Sequence, residues 1–198
     1  WVRKCDQECY KNQKNDKKIL SETKDIYFIG SNHPPNIEAL NHFLNNIWIH
    51  VININPDIIF HIIGMCGSGK EINRNIKNVI IHGCILNDKL SSILKNIRLS
   101  ICPLLDGAGM KGKVIEAFNY NVPIITSMIG IQGLNVYDNT HVKVIDFTNK
   151  NYKYTAKTIL DTYNDLNLLE NFTKNSKQYF ISNLSTELSP KYLNRLII

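Results

Sequence analysis

Leu99-Ser100-Ile101-Cys102-Pro103, followed by Asp106-Gly107-Ala108-Gly109-Met110-Lys111-Gly112-Lys113-Val114-Ile115-Glu116-Ala117 and then Val122-Pro123-Ile124-Ile125-Thr126, is the stretch on which the reading of this chain turns. A short apolar run ends at proline, a glycine-rich loop leads into a helix-period segment, and a second apolar run follows. Strand, loop, helix and strand in that order are the repeating unit of a parallel sheet. The same grammar extends both ways. Ile26 to Ile29 ends at Gly30, Asp57 to Ile63 ends at Gly64, Val79 to Ile81 ends at Gly83, and Val142 to Ile145 reads as the last strand.

Between the runs, Ile37, Leu40, Leu44, Ile47 and Val51 recur at helical spacing, with Phe43 and Trp48 widening the face. Asn32 or His33 is placed to cap that helix, and Pro34-Pro35 suit its first turn. Leu90, Ile93 and Leu94 mark a second helix, residues 111–120 a third, and Ala156, Ile159, Leu160 and Tyr163 a helical carboxy-terminal segment. The prediction is an α/β domain over residues 25–198, with a parallel sheet of about six strands flanked by helices. Residues 1–24 are polar without sustained period and read as a linker, or a remnant of a preceding domain, with one short helix.

Composition narrows the function. A net charge of +6 would suit a nucleic-acid partner, but Lys4, Lys11, Lys14, Lys17 and Lys18 crowd the start with no interleaved aromatics to stack bases. A solvated basic lead-in explains them, and no nucleic acid is expected. Five cysteines make an odd count unsuited to a disulfide framework. Cys66, Cys84 and Cys102 follow apolar runs, as buried thiols at strand ends do. Cys5 and Cys9 have no second pair to close a tetrahedral metal site. Free thiols favour a reducing compartment. Residues 47–66 are apolar but interrupted by Asn53, Asn55, Pro56, Asp57 and His61, so they do not read as a membrane span. The expected location is the cytoplasm or the cytoplasmic face of a membrane. A start at Trp1 with a basic opening is what a piece of a longer protein would give.

Two loops are candidates for chemistry, because ligands of such folds bind at the carboxyl ends of the strands. Gly64-Met65-Cys66-Gly67-Ser68-Gly69-Lys70-Glu71 nearly spells a nucleoside-triphosphate loop, but that loop needs a hydroxyl after its lysine to hold magnesium. Glu71 would repel phosphate instead, and no amphipathic helix follows. The expected structure is a mobile turn, with Gly64 leaving room for a ligand. The loop from Asp106 into the helix is the better anion seat. Its glycines let amide N–H groups converge, the helix N-terminus adds partial positive charge, and Lys111 and Lys113 supply full cations for a diphosphate. Glu116 lies one turn beyond Lys113, where a carboxylate can accept two hydrogen bonds from a ribose diol.

Residues 103–133 resemble the signature of family 4 retaining glycosyltransferases, which are built from two Rossmann-like halves. Gly107 through Ala117 is similar to the family's donor loop, and residues 122–127 with Gly130 and Gly133-Leu134 resemble the strand and turn after it. Phe28-Ile29-Gly30-Ser31 with Pro35-Asn36 and Ala39, His61-Ile62-Ile63-Gly64, and Ile81-His82-Gly83 with Asp88 match its other blocks in order, so the resemblance covers roughly residues 25–165. It implies the carboxy-terminal, donor-binding domain of an enzyme that takes a nucleoside diphosphate sugar, without a metal, and passes the sugar to a glycan, lipid or protein acceptor held by an amino-terminal domain. Glu116 would grip the ribose, and the backbone at Gly109, Met110 and Lys111 would meet diphosphate and sugar. Ile85 would lie near the base, and Gly30 and Ser31 would border the phosphates. Lys111, Lys113 and Glu116 form the implied catalytic set.

Two departures stand out. Ala108 replaces an earlier carboxylate that many members carry, leaving Asp106 as the nearest acid to the donor sugar. Ser31, Asn32 and His33 replace a basic pair, which shifts diphosphate neutralisation to Lys111 or Lys113. The isolated chain is therefore expected to be weakly active or inactive. Two other readings are a sugar-nucleotide 2-epimerase, which would be expected to use more in-cleft acids and histidines, and a degenerate domain kept for protein contacts.

Overall fold

The computed structural model describes residues 19–69 and 72–184. The basic lead-in, Cys5, Cys9, Lys70 and Glu71 lie outside the described residues. Six strands form one sheet: β1 (Asp25–Ile29), β2 (Phe60–Ile63), β3 (Val79–Gly83), β4 (Ile97–Cys102), β5 (Ile124–Thr126) and β6 (Lys143–Val144). They lie in the order β3-β2-β1-β4-β5-β6, and every pairing is parallel. Chain order therefore reverses between β1 and β4. There the loops leaving the two strands diverge to opposite faces and open a crevice.

The helices follow from the patterns above. A helix after β1 begins at Pro34 as α1 (Pro34–His42), widens into a π-helical stretch at Phe43–Trp48 and continues as α2 (Ile49–Ile54). The wide turn shifts the helical phase, so that Phe43, Leu44, Ile47 and Trp48 all face inward. That is why the apolar face looked broader than one stripe. Phe43, Trp48, Phe60 and Phe147 meet with ring centroids 5.3–6.3 Å apart, and the Trp48 indole donates to the Lys77 carbonyl at 2.9 Å. Each such ring contributes about 2 kcal/mol or more through burial. Next come α3 (Asn87–Leu94), α4 (Gly112–Asn119), α5 (Tyr152–Asn164) and α6 (Leu166–Asn183). Asn151 and Asp165 cap α5 and α6 by accepting from the amides of Tyr154 and Leu168.

Five local expectations need correction. β2 starts at Phe60 rather than Asp57, because Asn55 accepts from the Asp57 amide at 3.3 Å and folds residues 55–57 into a turn. β6 is reduced to Lys143–Val144. His33 flanks α1 but makes no side-chain cap. Cys66 and Cys102 are buried, but Cys84 is exposed, since Gly83 at φ +65° turns the chain out of the sheet. The short helix expected before residue 25 is a single 3-10 turn at Leu20–Glu22. No described helix is long and apolar enough to cross a membrane.

Candidate functional site

The crevice at the strand reversal is built from the loops after β1 and β4. Gly107 and Gly109 adopt φ of +126° and +73°, a region open to glycine. Those turns let three carbonyls converge on one cation: the Lys111 ammonium donates to Gly107 O at 3.0 Å, Ala108 O at 2.9 Å and Gly109 O at 2.6 Å. Lys111 is buried. Burial first, and then Lys113, push its ammonium below the usual lysine range. A trans peptide points its N–H opposite to its C=O. Drawing the carbonyls of residues 107–109 inward therefore turns the amides of Ala108, Gly109 and Met110 outward, away from the lysine. Sequence reasoning gave Lys111 a direct contact with phosphate. In the structure its three donors are spent on the loop, and it shapes the seat from beneath.

Lys113 is half-buried at the entrance of the helix. It lies in the first turn of α4, which no side chain caps, leaving the first amides of the helix for an anion. Its ammonium donates to Asn36 Oδ1 at 2.8 Å and lies 5.8 Å from the centre of the Phe28 ring. Asn36 in turn donates to the Ser31 carbonyl at 3.1 Å. This buried amide ties the β1 loop to the β4 loop across the crevice. The resemblance includes it only as part of a block and implies no role for it. The signal was a polar residue at the head of the buried stripe Asn36, Ala39, Leu40, Phe43.

Glu116 is half-buried one turn further along α4. Its carboxylate acts on Tyr27, a fully buried residue of β1: burial chiefly, with Glu116 second, pushes the phenol above its usual range. Asp106 is exposed and caps its own loop, accepting from the Gly107 amide at 2.6 Å. Gly30 and Gly64 meet directly. A side chain on Gly64, at φ +89°, would place its Cβ 2.3 Å from the Gly30 carbonyl oxygen. The space expected there for a ligand is therefore filled by backbone. Gly64 also donates to the Gly83 carbonyl at 2.7 Å, aligning the ends of β1, β2 and β3. Ile85, just past β3, packs partly buried beside α3.

Thus Ser31, Asn36 and Lys113 link the loop after β1 to the loop after β4, whereas Ile85 lies just past β3, two strands from β1. Burial makes the thiols of Cys66 and Cys102 poor nucleophiles, pushing Cys66 up to about 11 and raising Cys102 as well. Among the described residues no three His, Cys, Asp or Glu side chains converge closely enough to hold a metal ion.

An open parallel sheet with an uncapped helix N-terminus and an amide-lined loop at its strand reversal is the architecture of a phosphate-bearing nucleotide site. The chain belongs to the family Glycosyl transferases group 1, whose model matches residues 23–165. A 44.6 kDa protein from the cps region of Klebsiella pneumoniae is 30% identical over 118 residues, which are 54% of this chain and 30% of that protein. Two solved structures share the fold. The C-terminal domain of the Francisella tularensis group 1 glycosyl transferase LpcC is 15% identical, with a TM-score of 0.63 over 91% of this chain and 93% of that one. Anabaena HepE in complex with UDP-glucose is 10% identical, with a TM-score of 0.69 over 89% of this chain and 49% of that one.

Proposed function

We propose that this chain is the carboxy-terminal, donor-binding half of a family 4 retaining glycosyltransferase that transfers a sugar from a nucleoside diphosphate sugar. The carrying observation is the seat at residues 107–113, where Lys111 turns three carbonyls inward and Lys113 stands at an uncapped helix end. The other end of the ligand fits the sheet. From the β4 loop to the β3 loop is three strand spacings, roughly 14 Å, enough to carry diphosphate at one end and base at the other. On this reading Glu116 accepts from the ribose diol between them, and Ile85 borders the base through its backbone. Ser31 and Gly30 flank the phosphates, and Asp106 holds the loop near the donor sugar.

The chemistry asked of these residues is stabilisation of a departing diphosphate while the sugar gains oxocarbenium character. Amides fixed before binding, plus the Lys113 ammonium, meet the developing charge without reorganising. Lys111 adds its field from below. No metal is assigned a role. The acceptor, whether glycan, lipid or protein, would be held by an amino-terminal domain, at the cytoplasmic side of a membrane or in the cytoplasm. This chain alone would then bind donor and turn over poorly. The test is calorimetric titration with UDP, GDP and ADP: one should bind, and Glu116→Ala should weaken it at least about tenfold, the worth of a charge-assisted hydrogen-bond pair. Failure of all three to bind at millimolar concentration would end the reading.

A further inference from the structure

Outside the crevice, three titratable side chains form a continuous chain across the β1–β2–β3 half of the sheet. Asp25 opens β1 with a buried carboxylate. Its Oδ1 accepts from the Ile59 amide at 3.3 Å, and its Oδ2 from Asn96 Nδ2 at 2.5 Å. His61 Nε2 lies 3.3 Å from the same Oδ2, and His61 Nδ1 lies 2.8 Å from His82 Nε2. The two rings are within 6° of parallel. With nitrogens this close, they meet edge to edge through a hydrogen bond in their common plane. The proton inventory follows. His61 donates from Nε2 to the carboxylate, so its Nδ1 accepts, and His82 donates from Nε2.

His82 directly precedes Gly83, whose carbonyl takes the Gly64 amide at 2.7 Å, while Gly64 abuts the carbonyl of Gly30. We propose that Asp25, His61 and His82 are positioning residues for the nucleotide site, fixing the backbone from Gly83 to Ile85 against which the base lies. The proposal rests on the donor reading and adds residues that the reading leaves without a role.

A pH signature separates this task from mere packing. One extra proton on the histidine pair is tolerated, because a single N–H still lies between the rings and Asp25 balances the charge. A second proton sets two N–H donors against each other, which breaks the bond and frees half-exposed His82 towards solvent. Lys89 of α3 acts on His82. Tyr163 of α5 stands near Asp25, its hydroxyl donating to the Lys24 carbonyl at 2.6 Å. Burial, His61 and Lys89 together already hold His82 below the usual imidazole range.

The experiment is NMR of the ligand-free chain from about pH 8 to about pH 5, across the imidazole range, with UDP, GDP and ADP affinities measured over the same series. Expected are Nε2–H tautomers of both histidines at the upper end and amide signals of Gly83 and Gly64 that follow the histidine titration. Nucleotide affinity should hold through the first protonation of the pair and fall about fivefold with the second, the worth of one hydrogen bond. His82→Gln keeps an N–H for His61 without titrating, so it should bind within about twofold of wild type at the upper end and lose the acid decline. His82→Asn, too short to reach His61, should bind weakly at every pH. An acid decline that survives in His82→Gln, or a Gly83 amide indifferent to the histidines, would overturn the proposal. If Gly83 follows the histidines but no nucleotide binds at any pH, the donor reading falls and the relay stands as a prop of the sheet edge. Nucleotide binding without pH dependence would sink the coupling and leave the donor reading in place.

Discussion

Two glycine-and-lysine loops leave parallel strands of this sheet, and only one makes a seat for an anion. The loop after β2 collapses at once into a 3-10 turn at Met65–Ser68 with Cys66 and Gly67 buried. Its two buried amides are spent: Cys66 donates to Gly30 O at 3.1 Å, and Gly67 to Gly64 O at 3.5 Å. The loop after β4 does the reverse. Its carbonyls are consumed by Lys111, its amides face outward, and an amphipathic helix follows. Glycine supplies the freedom to turn in both. What differs is which half of each peptide the fold has already used.

Substitutions at the glycines separate the loops most sharply. Gly64→Ala forces a Cβ into the Gly30 carbonyl at positive φ. It should cost about 3 kcal/mol, lowering the melting temperature by roughly 6–12 °C in a thermal scan. Lys113→Ala should leave melting nearly unchanged while raising the nucleotide Kd about 10–100-fold by calorimetry, the range for a charge-assisted hydrogen bond. Gly109→Ala meets nothing within 4 Å and adds only backbone strain of about 1–2 kcal/mol. Its expected effect is a Kd weaker by about fivefold to thirtyfold with a small drop in melting. If Gly64→Ala changed binding more than folding, or Gly109→Ala the converse, the contrast between the loops would collapse.

The smallest effect concerns acid. His82 and His141 are both held below the usual imidazole value of 6.5 by burial. Between their folded values and 6.5 the unfolded chain binds more protons, so stability falls as pH falls through that window. Urea unfolding midpoints should decline modestly from neutral to acid pH. A midpoint that rises would contradict the assignment.

Much of the fold was legible because buried parallel strands and amphipathic helices write different periods. The runs at residues 26–29, 99–102 and 123–126 needed no partner to be read. The crevice was legible in outline, since the dense glycines after Pro103 had to close a loop at a strand end. Sequence could not say which lysine would turn back onto the loop and which would reach across the crevice to Asn36. Lys111 and Lys113 are two positions apart, and only the converging carbonyls decide between them. Asn36 escaped because its role depends on Ser31 and Lys113, the latter 77 residues away. The relay escaped for the same reason: Asp25, His61 and His82 sit on three strands whose order no single sequence reveals. Gly64 was misread because its neighbour Gly30 comes from another strand.

The most direct measurement is a backbone amide NMR titration of this chain with the nucleoside diphosphate that binds in calorimetry. The account predicts large shifts at Ala108, Gly109, Met110, Gly112 and Lys113 and near-silence at Cys66 and Gly67, with Lys111→Met abolishing the former set. Shifts centred on Cys66 and Gly67, or a full response at residues 108–113 surviving in Lys111→Met, would contradict it.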